Sequence, residues 1–136
     1  MKNELFDKAR AIAINAHGEQ LYGEKPYEHH LQMVGDILRR FGFYPENDDH
    51  FPLLISAWLH DSLEDTDLTK SEIEAVFGDE VADLVWRVTD EDGANRKERK
   101  AKTYLKLHQS EQAIILKLAD RIANVESSLQ NNPGLL

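Results

Sequence analysis

Apolar residues recur along most of this chain at intervals of three and four, a spacing typical of amphipathic helices. Near the N-terminus Leu5, Ala9, Ile12 and Ala16 follow this spacing, which predicts a first helix over Glu4–Ala16. Hardly any segment alternates apolar and polar residues with the period of two that a half-buried strand requires. The sequence therefore predicts an all-α fold without a sheet of consequence.

Glycines, prolines and polar caps divide the rest of the chain into further helices. Thr69 and Glu72 have the Thr-x-x-Glu form of a capping box, and Gly42 and Gly78 stand where helices would end. Together these signals predict a compact bundle of about six or seven helices. After the first, the expected helices cover residues 26–41, 51–64, 69–77, 79–88, 96–108 and 110–129, with loops at 17–25 and 89–95.

The third predicted helix carries an unusual group of polar residues. Its apolar stripe, which we expect to face the core, includes Ala57, and His60 and Asp61 follow three and four residues later. Residues at that spacing share one face of a helix. Glu64 and Asp65 continue the same face. A buried stripe thus ends in one histidine and three carboxylates, whereas an ordinary solvent-facing helix would place them on the opposite side.

The last predicted helix has two apolar stripes. The stripe of large residues is predicted to pack into the core and consists of Leu118, Ile122, Val125 and Leu129. Asp120 and Asn124 lie on a second stripe of small and apolar residues, where a carboxylate is costly to bury without a cation or a metal. Taken singly, each polar residue also fits a hydrogen-bonded core position or a cap. In combination with the group at the end of the third helix, they predict a metal site.

The composition restricts what such a site can be. The chain has 136 residues, which predicts a single domain, and it contains no cysteine. Thiolate ligands, disulfides and a cysteine nucleophile are therefore excluded. A metal would be bound by imidazole and carboxylate groups, a set that suits divalent zinc, iron or manganese.

Charge and hydropathy restrict the partners. The formal net charge of −9 argues against binding of a nucleic-acid polymer, although a small anionic substrate stays compatible with it if a metal supplies positive charge. No apolar run approaches the roughly 18–20 residues of a membrane-spanning helix, and the first residues lack the apolar stretch of a signal peptide. We therefore expect a cytoplasmic protein without a membrane partner.

Three motifs follow one another along the chain. Residues 26–30 read Pro-Tyr-Glu-His-His, residues 60–65 read His-Asp-Ser-Leu-Glu-Asp, and residues 117–124 read Lys-Leu-Ala-Asp-Arg-Ile-Ala-Asn. These resemble the Pro-Tyr-x-x-His, His-Asp-x-x-Glu-Asp and Lys-Leu-Ala-Asp-Arg-x-x-Asn motifs of the HD superfamily of metal-dependent phosphohydrolases. More narrowly, the chain resembles the hydrolase domain of the RelA/SpoT homologues and their small stand-alone relatives. The likeness spans nearly the whole chain, so residues 1–136 are expected to form a single HD domain.

The resemblance implies an activity and a role for each matching residue. Enzymes with this domain remove the 3′-pyrophosphate from guanosine tetra- and pentaphosphate, and they typically hold one manganese ion; zinc, iron, cobalt and nickel are the alternatives. Carried over, the metal ligands are His30, His60, Asp61 and Asp120. The catalytic residues carried over are the acidic pair Glu64 and Asp65, and Asn124.

Two further histidines, His29 and His108, are not predicted to be metal ligands. His29 is chemically identical to its neighbour His30, but the Pro-Tyr-x-x-His spacing selects His30 as the ligand. His108 is the only histidine between the second and third motifs. HD proteins with two or three metals need extra histidines in that interval, so the resemblance implies a single metal ion.

The candidates for substrate binding are Lys97 and Tyr27. Lys97 belongs to a basic segment over residues 96–106 that could meet substrate phosphates, although a solvated helix face explains the segment equally well. Tyr27 could stack on a base, with packing as the alternative.

The exact substrate stays open because the chain departs from the family pattern. The Arg-Lys pair that usually precedes the glycine before Pro-Tyr is missing, since residues 21–25 read Leu-Tyr-Gly-Glu-Lys, and family domains usually continue further past the third motif. The alternatives are an HD nucleotidase that releases phosphate from other nucleotides and a non-catalytic nucleotide-binding module. The intact Glu64–Asp65 pair argues against the module. In each case the expected partner is a small-molecule nucleotide, and the sequence does not determine the oligomeric state.

Overall fold

The structure, a computed structural model, describes residues 2–131. Over this range the elements are α1 (Lys2–His17), β1 (Leu21–Tyr22), β2 (Lys25–Pro26), α2 (Glu28–Arg40), α3 (Phe51–Leu59), α4 (Ser62–Asp65), α5 (Lys70–Phe77), α6 (Asp79–Val88), α7 (Arg96–Leu107) and α8 (Glu111–Asn131). The predicted all-α fold is confirmed, and every predicted helix has a counterpart. None of the helices within residues 2–131 combines the length and apolar character of a membrane span.

Helix α3 is the buried centre of the fold. Residues 53–60 are all buried, because α3 packs against α1, α2 and α6. Leu54 belongs to a hydrophobic cluster shared with α2, α6 and α8, whereas Leu59 belongs to one shared with α1, α5 and α6. A helix surrounded in this way is apolar on all its faces, so polar side chains at its end come to lie inside the protein.

The helix predicted over residues 51–64 is divided in the structure. Helix α3 ends at Leu59 and α4 begins at Ser62, and the Ser62 hydroxyl donates a hydrogen bond of 2.6 Å to the Leu59 carbonyl. A serine hydroxyl that bonds to the backbone in this way competes with continued helix. Adjacent residues of a regular helix point about 100° apart. The break instead brings the adjacent side chains of His60 and Asp61 to within 3.0 Å of each other.

The core face of α8 differs from the predicted one. Leu118 and Val125 are 55% and 58% exposed, so their assignment to the core was wrong, and Ile122 and Leu129 are only partly buried. The buried positions of the helix are mostly small residues: Ala113, Leu116, Ala119, Ala123 and Ser127. Small side chains allow α8 to approach α2 closely, since the distance between packed helices depends on the residues at the contact.

A short hairpin occupies the predicted loop before α2. Leu21 pairs with Pro26 and Tyr22 with Lys25 in antiparallel register. Gly23 has a φ of 63° at the turn, a conformation that glycine adopts without steric cost. The hairpin places the Tyr22 ring against His30 of α2.

Candidate metal centre

Four of the predicted site residues converge on one point inside the helical bundle. His30 comes from α2, His60 and Asp61 from the link between α3 and α4, and Asp120 from the middle of α8. One potential ligand atom from each lies within 4.8 Å of the others. We call these four residues the metal cluster. It is the one grouping of this kind found among residues 2–131.

Within the metal cluster each imidazole presents Nε2 to both carboxylates. His30 Nε2 lies 2.9 Å from Asp120 Oδ1 and 3.5 Å from Asp61 Oδ2. His60 Nε2 lies 3.2 Å and 3.0 Å from the same two oxygens. Both histidines are almost fully buried, with 1% and 4% of their surface exposed. Two nitrogens and two carboxylate oxygens thus face a common centre in a site largely shielded from solvent.

The hydrogen bonding of His60 indicates that this donor set fits a metal ion. Its Nδ1 donates to the Ala57 carbonyl at 2.7 Å, so Nε2 is the ring nitrogen that faces the centre and would bind a metal after losing its proton. Metal-binding histidines are commonly oriented by such a bond from the other ring nitrogen. Neutral imidazoles and carboxylates together suit divalent first-row transition metals.

The charges within the metal cluster are strongly coupled. Burial lowers the pKa of His60 and His30, but the carboxylates of Asp61 and Asp120 outweigh burial and raise both pKa values above the ordinary 6.5. Burial would raise the pKa of each aspartate, yet the two imidazoles hold both values well below the usual range. The two carboxylates therefore require positive charge beside them. A divalent ion would supply that charge and release the imidazole protons on binding.

Tyr27 supports the metal cluster from the side of α2. Its hydroxyl donates a hydrogen bond of 2.6 Å to Asp61 Oδ2, and its ring stacks on His17 at 4.5 Å between centroids. Burial and the neighbouring carboxylates raise the pKa of Tyr27, so the hydroxyl stays a donor. Tyr27 was predicted as a base-stacking candidate, and its hydrogen bond to Asp61 was not predicted. Its position one turn before His30 is the signal that could have indicated it.

Asn124 lies on α8 one turn after Asp120, and the hairpin holds its side chain. Tyr22 donates its hydroxyl proton to Asn124 Oδ1 at 2.6 Å. The Tyr22 ring also stacks on His30, with 4.5 Å between centroids. The hairpin thus contacts both a member of the metal cluster and the predicted catalytic asparagine, a role that was not predicted from the sequence.

The predicted acidic pair occupies the single turn of α4. Glu64 Oε1 accepts the backbone N–H of Asp90 at 2.6 Å, and Asp65 Oδ2 accepts a hydrogen bond from Gln20 Nε2 at 3.2 Å. Gln20 is held in turn by His17 Nδ1, which lies 2.8 Å from its Oε1. Each of the two carboxylates is therefore fixed by a donor from a different loop, and burial raises the pKa of Glu64.

The remaining predicted residues lie outside the metal cluster. His29 is half-buried and lines a cleft of about 370 Å³ together with Tyr22, Lys25 and Ser127. Lys97 is exposed in the first turn of α7. The structure thus places His30, and not His29, in the metal cluster. The choice of His30 as a ligand and the phosphate contact of Lys97 both stay predictions.

Comparison with known proteins agrees with the motifs. Residues 9–133 match a family model described as HD domain. A guanosine-3′,5′-bis(diphosphate) 3′-pyrophosphohydrolase from Aquifex aeolicus is 39% identical over 130 residues, which cover 91% of this chain and 18% of that protein. A protein of the same name from Drosophila melanogaster is 33% identical over 111 residues, covering 81% of this chain and 60% of that protein. The chain thus spans less than two thirds of the length of either relative.

Solved structures extend the likeness to the fold. A metazoan ortholog of SpoT, described as hydrolyzing ppGpp, superposes with a TM-score of 0.76 at 32% identity, covering 93% of this chain and 70% of that chain. A crystal structure from Listeria monocytogenes gives a TM-score of 0.62 at 35% identity, with coverage of 76% and 64%. With the family model, the helical fold and the three motifs in agreement, this chain belongs to the HD domain family.

Proposed function

We propose that this protein is a metal-dependent pyrophosphohydrolase that removes the 3′-pyrophosphate from guanosine 3′,5′-bis(diphosphate). The observation that carries the proposal is that ligand atoms of all four residues of the metal cluster lie within 4.8 Å of one another. Two of these residues, His60 and Asp61, directly precede α4, which carries the acidic pair. The names of the relatives from Aquifex aeolicus and Drosophila melanogaster support the choice of substrate.

Membership in the HD family implies a divalent metal, and we assign its ligands to His30, His60, Asp61 and Asp120. Manganese is the ion we propose, as the resemblance implies, and zinc, iron, cobalt and nickel suit the same donor set. When bound, such an ion supplies a Lewis acid for a phosphoryl oxygen and lowers the pKa of a water molecule toward neutrality.

The acidic pair is assigned to deprotonate and orient the attacking water. Hydrolysis adds water across the bond between the 3′ oxygen and its phosphorus, which releases pyrophosphate and guanosine 5′-diphosphate. We assign Glu64 to accept the water proton, because burial raises the pKa of its carboxyl and makes it a better base. Asp65, whose carboxylate is fixed by Gln20, orients the same water.

Asn124 is assigned to a phosphate oxygen. Because Tyr22 donates to its Oδ1, the amide nitrogen is the group left to donate a hydrogen bond. The cleft beside Tyr22 and His29 is the place we propose for the nucleoside, and Lys97 stays the candidate for distal phosphates. Tyr27 is retained as a substrate contact through its ring alone, since its hydroxyl is engaged by Asp61. The cytoplasmic location expected from the sequence also stays a prediction.

The proposal is tested by incubating the manganese-loaded protein with guanosine 3′,5′-bis(diphosphate) and measuring released pyrophosphate. We expect turnover by the wild type, loss of turnover in Glu64→Gln, and unchanged turnover in Glu74→Gln, which alters an exposed glutamate of α5. Orthophosphate released from nucleoside monophosphates instead would identify an HD nucleotidase. Nucleotide binding without any turnover, with one metal ion bound per chain, would identify a binding module.

A further inference from the structure

One lysine of the basic segment is buried. Lys106 is 6% exposed, whereas residues 96–102 are all exposed. Its Nζ lies 2.9 Å from Glu91 Oε1 and 4.3 Å from the centroid of the Trp86 ring. Lysine is almost never fully buried unless its charge is paired. The ion pair with Glu91 compensates the buried charge of Lys106, and the burial of this lysine indicates a structural role.

The ion pair joins α7 to the segment that follows α6. The backbone N–H of Glu91 donates to Thr103 Oγ1 at 2.9 Å, one turn before Lys106 on the same helix. Lys102 Nζ donates to the Asp92 carbonyl at 3.3 Å. Residues 90–92, which belong to no helix, are thus bound to α7 at Glu91 and Asp92.

The same segment donates a hydrogen bond to Glu64, the proposed general base. The N–H of Asp90, directly before Glu91, donates to Glu64 Oε1 at 2.6 Å. Glu64 is a long side chain on a single-turn helix and part of it reaches solvent, so packing alone does not fix the direction of its carboxylate. A backbone donor fixes a carboxylate only if the segment that carries the donor is itself held in place.

We propose that Lys106 is a positioning residue, whose ion pair with Glu91 holds residues 90–92 so that the Asp90 N–H fixes the Glu64 carboxylate beside the metal cluster. The inference rests on the proposed function of Glu64, and it assigns Lys106 an internal role in place of a phosphate contact. It also explains why this one lysine of the basic segment is buried while its neighbours face solvent.

The test compares Lys106→Met, which removes the charge and keeps the length, with Lys106→Arg, which keeps the charge. Two measurements are made on the full chain: the hydrogen-exchange rate of the Asp90 amide, and kcat and KM for guanosine 3′,5′-bis(diphosphate) at confirmed metal stoichiometry. For Lys106→Met we expect the Asp90 amide to exchange about tenfold faster and kcat to fall about tenfold. KM should stay within about twofold of the wild-type value. Lys106→Arg should keep the wild-type exchange rate and kcat. Lys8→Met, at an exposed position of α1, should change neither of them.

Several results would overturn the inference. A rise in KM at constant kcat would make Lys106 a substrate contact, and an unchanged Asp90 exchange rate would remove the link to Glu64. If Lys106→Met does not fold, Glu91→Gln carries the same test from the less buried partner of the pair. The amide exchange is measured without substrate. A failure of the proposed reaction therefore shows as absent turnover in the wild type, and it is distinguishable from a failure of the positioning role.

Discussion

The Tyr27 hydroxyl donates a hydrogen bond of 2.6 Å to Asp61 Oδ2, across the space between the start of α2 and the end of α3. The ring of Tyr27 is stacked on His17, so packing fixes the position of the hydroxyl. Asp61 Oδ2 also lies 3.5 Å from His30 Nε2 and 3.0 Å from His60 Nε2. The Tyr27 hydroxyl is uncharged, so it orients the carboxylate without neutralising its negative charge. Hydrogen bonds of this kind orient metal ligands and affect their affinity for the metal.

Removing this hydroxyl should weaken metal binding while leaving the fold intact. Tyr27→Phe keeps the stacked ring but removes this hydrogen bond to Asp61, so we expect metal affinity to fall by about 10–100-fold. A titration with manganese against a competing chelator measures the change. Tyr22→Phe is the matched control, because Tyr22 donates to Asn124 and not to a ligand. Equal affinities in Tyr27→Phe and Tyr22→Phe would refute the role of Tyr27.

The charge of Asp120 should be essential for retaining the metal. Asp120→Asn preserves the shape of the side chain but removes the negative charge that both buried imidazoles face at 2.9 Å and 3.2 Å. We expect the purified variant to contain far less than one metal ion per chain by elemental analysis. Asp36→Asn, at an exposed carboxylate of α2, should retain the wild-type content. Full metal content in Asp120→Asn would mean that α8 does not contribute a ligand.

Glu64 should make stability depend on pH in a defined direction. Burial raises the pKa of its carboxyl above the ordinary 4.5, as do the charges of Asp90 and Asp61, while the Asp90 N–H and Lys117 partly offset them. The folded state therefore binds more protons than the unfolded state just above that value, and stability falls as pH rises through this window. Glu64→Gln removes the titration. We therefore expect the stability of the variant relative to wild type to increase as pH rises just above the ordinary pKa of 4.5.

Chemical denaturation of both proteins across this range measures the difference. Glu74→Gln, at an exposed position, should show no such trend relative to wild type. A variant that loses stability relative to wild type as pH rises would mean that the folded protein favours the ionised carboxylate, contrary to the raised pKa.

Features encoded by a few neighbouring residues could be predicted from the sequence. The capping box is present as expected, with the Thr69 side chain accepting from the Glu72 N–H and the Glu72 side chain accepting from Thr69. The polar end of the central helix also follows from local spacing, since His60 and Asp61 come directly after an apolar run. In both cases the interacting groups lie within one or two turns of each other.

Features that depend on packing between distant segments could not be predicted. Helix α3 ends at Leu59, beside a hydrogen bond from the Ser62 hydroxyl that helical periodicity does not reveal. The contacts of Tyr27 with Asp61 and of Glu64 with Asp90 join segments 34 and 26 residues apart. Periodicity locates a helix but does not state which other element covers it, so such contacts emerge only from the fold.

The core face of α8 gives the clearest test of this distinction. Leu116 and Leu118 are the same residue type in the same helix, two positions apart, yet Leu116 is 0% exposed and Leu118 is 55% exposed. Leu116→Ala should destabilise the protein by about 2–5 kcal/mol, because it leaves a cavity between α8 and the cluster around α2 and α3. Leu118→Ala should change stability by no more than about 0.5 kcal/mol, as most surface substitutions do. Urea unfolding of the two variants measures both values, and the shared helix and chemistry cancel differences in helix propensity. Should Leu118→Ala prove the more damaging change, the large apolar stripe would be the true core face and the packing of α8 described above would be wrong.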